Sequence, residues 1–357
     1  MNKDNILSKS ECSALRGIAI IGIILHNFCH WLSFTIKESE YTYQRYYDHY
    51  FWHHLFSMNK NLQFDFFSYL GHYGVPIFLF ISGYGLALKY DNSKKNVETL
   101  PFIKYHYLKL FRLMLIGLIC YFLIDWILNV QTQFTFLRFT AQLAMIINFF
   151  PNPDHLIKPG PYWYFGLTLQ LYILYRLIFY HRHWLIIVIS MIACWIPQAL
   201  CEPTSETLNW LRYNFIGSVL PFGLGILTGR HLRIPVMDSR ILSPLYVSIA
   251  VISILALYSF RDNFQLWLWI PVIILAFSIS IVKLSPECLL RPFEWVGGLS
   301  AMIFVIHPIL RPVFLLISNA GWLYTGEILY FIATLLIAYL YKILMKYIPK
   351  PKLYLKR

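Results

Sequence analysis

The sequence predicts an all-α polytopic membrane bundle of about ten transmembrane helices, with both termini in the cytoplasm. Three observations lead there. Of the 357 residues, 58% are hydrophobic and only 13% charged, about half the charge of a soluble domain. Apolar runs of about 20 residues, the length that crosses a bilayer core, recur at 13–35, 68–88, 109–130, 161–180, 184–200, 213–230, 243–260, 264–283, 296–318 and 327–346. With the N-terminus inside, 22 of the 30 Lys and Arg fall in cytoplasmic segments, as the positive-inside rule requires. That bias also explains the net charge of +13. No groove-reading motif is present, so no nucleic-acid partner is expected. No hydrophilic stretch is long enough for a second domain, and residues 1–357 read as one integral-membrane domain.

Taken in order, the chain starts with a polar stretch, Met1 to Ser13, and the apolar run after it is too long for a cleavable signal. The first outside loop, Ile36 to Phe67, is dense in Tyr, His and Trp. It suits an interfacial aromatic belt or a stacking platform for sugar rings. The next inside segment, Lys89 to Arg112, carries six Lys and Arg and suits contact with anionic lipids or with an anionic ligand. Phe134 to Phe150 holds Arg138, Thr140, Gln142 and Asn148. An eleventh span there would invert every later loop, so it reads as a re-entrant or interfacial helix. Asn148 to Tyr164 is rich in proline and reads as a structured turn. Cys12, Cys29, Cys120, Cys194, Cys201 and Cys288 form no CxxC pair, and read as apolar residues rather than disulfides or zinc ligands.

Ionisable groups inside spans are costly and mark function by default. The first span holds Arg16, His26 and His30, with Asn27 between the histidines; the third holds Asp125; the ninth holds His307 and Arg311. His26 and His30 are four apart, as are His307 and Arg311, so each pair shares a helix face. A buried neutral imidazole can take a proton from a hydroxyl and make its oxygen a nucleophile. HExxH is absent and the spacing supplies no third ligand for His26 and His30, so no metal is expected.

At these positions the chain resembles a known family. Ser13-Ala14-Leu15-Arg16-Gly17 followed by His26 is similar to its first-helix signature. Gly74 to Tyr84 (GVPIFLFISGY) is similar to its second-helix motif, and Phe102 to Arg112 to its basic stretch. Pro161-Tyr162-Trp163-Tyr164-Phe165 with Gln170, Pro221-Phe222 through Gly229-Arg230, and Ser300 to Pro308 (SAMIFVIHP) follow in the family's order. The family is the membrane acyltransferase-3 family of bacterial integral-membrane O-acyltransferases. Three positions depart from its pattern: Arg16 and His26 are one residue closer than usual, Lys109 stands for an Arg, and Pro76 for a polar residue. At about 100° per residue, ten steps leave His26 about 80° off the face of Arg16. His26 is therefore the first choice of base and His30 the reserve.

The resemblance implies transfer of an acyl group, most often acetyl, from cytoplasmic acyl-CoA to a hydroxyl of a cell-surface glycan or its lipid-linked precursor. Acetyl-CoA would be a co-substrate, with no permanently bound cofactor. His26, Arg16 and His30 would be catalytic, and Lys109, Arg112 and Arg230 would hold the CoA phosphates. Ser82, Trp163, Gln170, His307 and Arg311 would line the substrate cavity. The setting would be the bacterial inner membrane, with the bilayer and the glycan acceptor as partners, and with room for a homo-oligomer or for glycan-synthesis proteins. The rival reading is a transporter or flippase for a glycan or polar solute, in which His and Arg bind cargo or relay protons.

Overall fold

The computed structural model describes residues 5–91, 97–127, 135–233, 239–260 and 262–353. Lys3, Lys94, Lys95, Lys356 and Arg357 of the charge count lie outside the described residues, as does the 128–130 end of the third predicted span; the side chain of Arg240 also lies outside them.

The helices run α1 Lys9–Cys29, α2 Arg45–Phe56, α3 Leu62–Leu70, α4 Gly74–Leu86, α5 Thr99–Ile127, α6 Phe136–Leu143, α7 Pro153–Leu156 and α8 Trp163–Leu174. They continue with α9 Trp184–Ala199, α10 Glu206–Tyr213, α11 Phe215–His231, α12 Ser239–Phe260, α13 Phe264–Trp267 and α14 Ile270–Leu284. The last three are α15 Glu287–Gly297, α16 Ser300–Asn319 and α17 Leu323–Tyr347. Among the described residues, six segments are long and apolar enough to cross a membrane: Lys9–Cys29, Leu62–Asp91, Thr99–Ile127, Leu242–Phe260, Ser300–Asn319 and Leu323–Tyr347. α9 and α14 are apolar but shorter. With α8, prolonged by a π turn over Tyr175–Phe179, and α11, they occupy the four remaining predicted positions. The polytopic all-α bundle is what the apolar runs predicted. α6 has 8 residues, far short of a span, in keeping with its polar sequence. The six cysteines are free.

The differences lie at segment ends. α1 stops at Cys29 instead of running to residue 35. Lys37 folds back onto its C-terminal end and donates to the carbonyls of His30 and Leu32, as a cation at a helix C-terminus should. α5 starts at Thr99, so the basic stretch Phe102 to Arg112 is helical rather than loop. α2 lies along the outer loop with Phe51 buried and Tyr46, Tyr50 and Phe56 exposed, an interfacial pattern.

Small residues fix the helix crossings, as is usual where lipid gives helices no hydrophobic reason to associate. A Cβ added at Gly17 would overlap the Phe293 carbonyl, and one at Gly297 that of Ser13, so α1 and α15 meet backbone to backbone. Gly83 and Gly225 do the same for α4 and α11, against the carbonyls of Phe222 and Phe80. A third close approach sets Gly22 of α1 against Gly71, in the 3-10 turn Gly71–Tyr73 that leads into α4.

Candidate functional site

α1 is the axis of the site. Ser8 and Glu11 close a capping box at its start, with Ser8 N–H on Glu11 at 2.7 Å and Glu11 N–H on Ser8 Oγ at 3.1 Å. Lys283 of α14 pins Glu11 at 2.8 Å. From that anchored end the helix carries Arg16, Ile23 and His26 upward, with His30 at its C-cap. Arg16 and His26 are separated by about 15 Å along the axis.

Two cavities flank this axis. The lower, about 430 Å³, is lined by Ser13, Arg16, Ser82, Lys109, Tyr172 and Ser300 among apolar side chains of α4, α5 and α16. The upper, about 360 Å³, is lined by His26, Asn27, His30, His72, Arg311 and Trp163, and reaches Lys37, Asp154 and Lys158 in the loops. Ile23, Val75, Tyr164 and Phe304 line both, so a single layer of side chains separates them. Arg16 lines the lower cavity and His26 the upper, so the two need not share one helix face.

Three imidazoles meet in the upper cavity. His26 lies 4.8 Å from His30 and 5.1 Å from His72, ring centre to centre. His26 Nδ1 is 2.9 Å from the Ser68 carbonyl. A carbonyl only accepts, so Nδ1 carries the proton and Nε2 keeps its lone pair. Ser68 Oγ donates to the Ile36 carbonyl. Its 3.4 Å contact with His30 Nδ1 therefore has His30 as donor, which leaves His30 Nε2 a free acceptor too. His72 is 4% exposed, and among the described residues neither of its ring nitrogens has a partner. His72 is not among the site residues expected from the sequence. Its signal was an ionisable residue inside the run 68–88, between Gly71 and Gly74, but only the Gly22–Gly71 approach brings it to His26.

Aromatic rings form one wall. Tyr41 and Tyr213 stack at 4.0 Å, and Trp163 stands edge-on to both at 5.5 and 4.9 Å. Of the aromatic outer loop, Tyr41 reaches the cavity while the rings of α2 do not. Behind this wall Glu40 accepts from Tyr41 at 3.0 Å, and burial pushes its carboxyl up to about 7.

The other expected site residues divide. Arg16, Lys109 and Ser82 come together in the lower cavity; His26, His30, Trp163 and Arg311 in the upper. Arg112, Arg230, Gln170, His307 and Asp125 line neither. Arg112 donates to the carbonyls of Met345, Ile348 and Pro349 at 3.4, 3.2 and 3.1 Å, tying α5 to the end of α17. Arg230 pairs with Asp91 at 2.7 Å, both largely buried, and also holds the Phe179 carbonyl. Gln170 clasps Asn214 and the Phe215 N–H at 2.9 and 3.0 Å, closing the start of α11. His307 donates to Ile303 at 3.1 Å, is fully buried, and packs on Phe304.

A family model described as Acyltransferase domain matches residues 11–345. No curated protein and no solved structure matches the chain.

Proposed function

Because the chain belongs to the membrane acyltransferase-3 family, we propose that it moves an acyl group, most often acetyl, from cytoplasmic acyl-CoA to a glycan hydroxyl on the other side of the bacterial inner membrane. The observation that carries this reading is the pair of cavities divided only by Ile23, Val75, Tyr164 and Phe304. The lower opens among the cytoplasmic ends of the spans, as the charge bias orients them. Arg16 and Lys109 offer cations there for CoA phosphates, and the apolar lining accommodates the thioester arm. The upper cavity offers the glycan an aromatic wall and hydrogen-bonding groups.

The chemistry follows from the His26 tautomer. Nε2 takes the proton of the acceptor hydroxyl as its oxygen attacks the thioester carbonyl, which the donor arm brings past the shared layer into the upper cavity. The new C–O bond makes a tetrahedral oxyanion, which nearby donors stabilise. Its collapse breaks the C–S bond, and the imidazolium returns its proton to the leaving thiolate. Purified protein in sealed proteoliposomes, given acetyl-CoA labelled in the acetyl group and a glycan extract, is expected to label the glycan. Transport of the glycan with no label transferred would overturn the proposal and favour the transporter reading.

The structure separates two basic residues that the sequence groups together. Lys109→Ala is expected to weaken acetyl-CoA binding by about 1.5–3 kcal/mol, one charged hydrogen bond. Arg112→Ala is expected to leave that affinity alone and lower the melting temperature, since its three bonds hold the end of α17. Calorimetry with acetyl-CoA and a thermal melt on each variant check both outcomes. Equal loss of affinity in the two would return Arg112 to the donor site.

A further inference from the structure

Among the described residues, Arg311 is a cation without a counterion. It projects from the apolar helix α16 into the upper cavity. Its Nη1 donates to Asn27 Oδ1 at 3.2 Å, and its guanidinium lies 4.5 Å from the centre of the Trp31 ring. Both are neutral. Its Nε is enclosed and has no hydrogen-bond partner, and no carboxylate pairs with it among the described residues. An enclosed charge left unpaired in a membrane protein is costly, and its partner is usually another charge.

The rest of the cavity does not supply that partner. Asp154, the carboxylate among the lining residues, stands 3.6 Å from His155 and is not paired with Arg311. Glu40 lies behind the aromatic wall, with a carboxyl lifted toward neutrality by burial. Lys37 and Lys158 add positive charge to the same lining. Lys37 is already tied to the α1 carbonyls and to Thr35 Oγ1 and Lys158 is exposed to solvent, which leaves Arg311 as the enclosed lining cation, among the described residues, with an unused donor.

We infer that the acceptor glycan brings an anionic group, a sugar carboxylate or a carrier phosphate, that seats on Arg311 and sets the reacting hydroxyl beside His26. This rests on the acyltransferase reading of the cavity and names its substrate class. Asn27, which Arg311 holds, directly follows His26 on α1, so a group seated on Arg311 lies next to the base. The planar guanidinium matches both oxyanions with paired N–H donors.

The test uses the full chain in nanodiscs with acetyl-CoA and four probes. These are a glucuronate-containing disaccharide, its carboxyl-reduced form, a polyprenyl-pyrophosphate-linked disaccharide, and the same neutral disaccharide free. The parent is expected to favour at least one charged probe over its neutral partner by about tenfold to a hundredfold in kcat/KM, the worth of one charged hydrogen bond. Preference for the glucuronate probe assigns the anion to the sugar, and preference for the lipid-linked probe to the carrier. In Arg311→Gln that ratio is expected to fall to about one through KM, and Arg311→Lys to restore part of it. Equal use of charged and neutral probes by the parent overturns the inference and leaves acyl transfer standing. So does a variant that keeps the ratio and loses kcat on both, which would put Arg311 at the reacting carbonyl. Should the parent acylate none of the probes, the acyltransferase reading fails for them. Their direct binding to parent and Arg311→Gln then decides the anion site: a charged-probe preference that the variant loses upholds it, and equal binding overturns it.

Discussion

Replacing His26 with alanine is expected to abolish acyl transfer while the protein still inserts and melts normally. Removing a general base typically costs about 10²–10⁴-fold in rate. His26 is assigned that role because the Ser68 carbonyl, 2.9 Å from Nδ1, fixes the tautomer with Nε2 unprotonated. His26→Gln should not rescue the rate, since an amide has no basic nitrogen to receive the proton. His30→Ala should cost less. Its bond to Ser68 Oγ is longer, at 3.4 Å, and its loss disturbs His26 only through their 4.8 Å ring contact. The comparison is product formation by the single variants at equal membrane abundance. An active His26→Ala beside a dead His30→Ala would move the base one turn along α1. Full activity in both would shift attention to His72, the third imidazole of the cluster.

Gly71→Val is expected to cut transfer by about a hundredfold with little loss of acetyl-CoA binding. A Cβ at Gly71 would overlap the Gly22 carbonyl and press on His26 Cβ. Both are too constrained to yield without moving the turn off α1. That turn carries His72 and begins three residues after Ser68, so the shift displaces the group that orients His26. A misplacement of about 1 Å is enough for a hundredfold loss. Lys109 and Arg16 lie in the other cavity and should keep their affinity for the donor. Gly85→Ala is the matched control, because a Cβ there meets nothing within 4 Å, and it should retain full rate. A Gly71→Val variant with the parental rate would mean that the Gly22–Gly71 contact does not position the base.

The sequence determined the parts whose physics is local. Apolar length set the spans, because a bilayer demands about 20 residues from each helix wherever it sits. The polar composition of Phe134 to Phe150 kept α6 from being read as a span, and Arg16, His26, His30 and Arg311 stood out because charge inside an apolar run is costly in any arrangement. Roles that depend on what lies opposite were not legible. Arg112 and Arg230 read as donor ligands by their charge, but one holds the end of α17 and the other pairs with Asp91. Gln170 read as a cavity residue and closes the start of α11. His72 joins the site only because two glycines let its turn approach α1. The division of Arg16 and His26 between two cavities was equally out of reach. A periodicity argument assumes one face and one partner, whereas the tertiary structure wraps different helices around successive turns of α1. Tertiary contact alone decides whether a buried polar group is already satisfied or is left free to act, because the residue that satisfies it comes from a distant part of the chain.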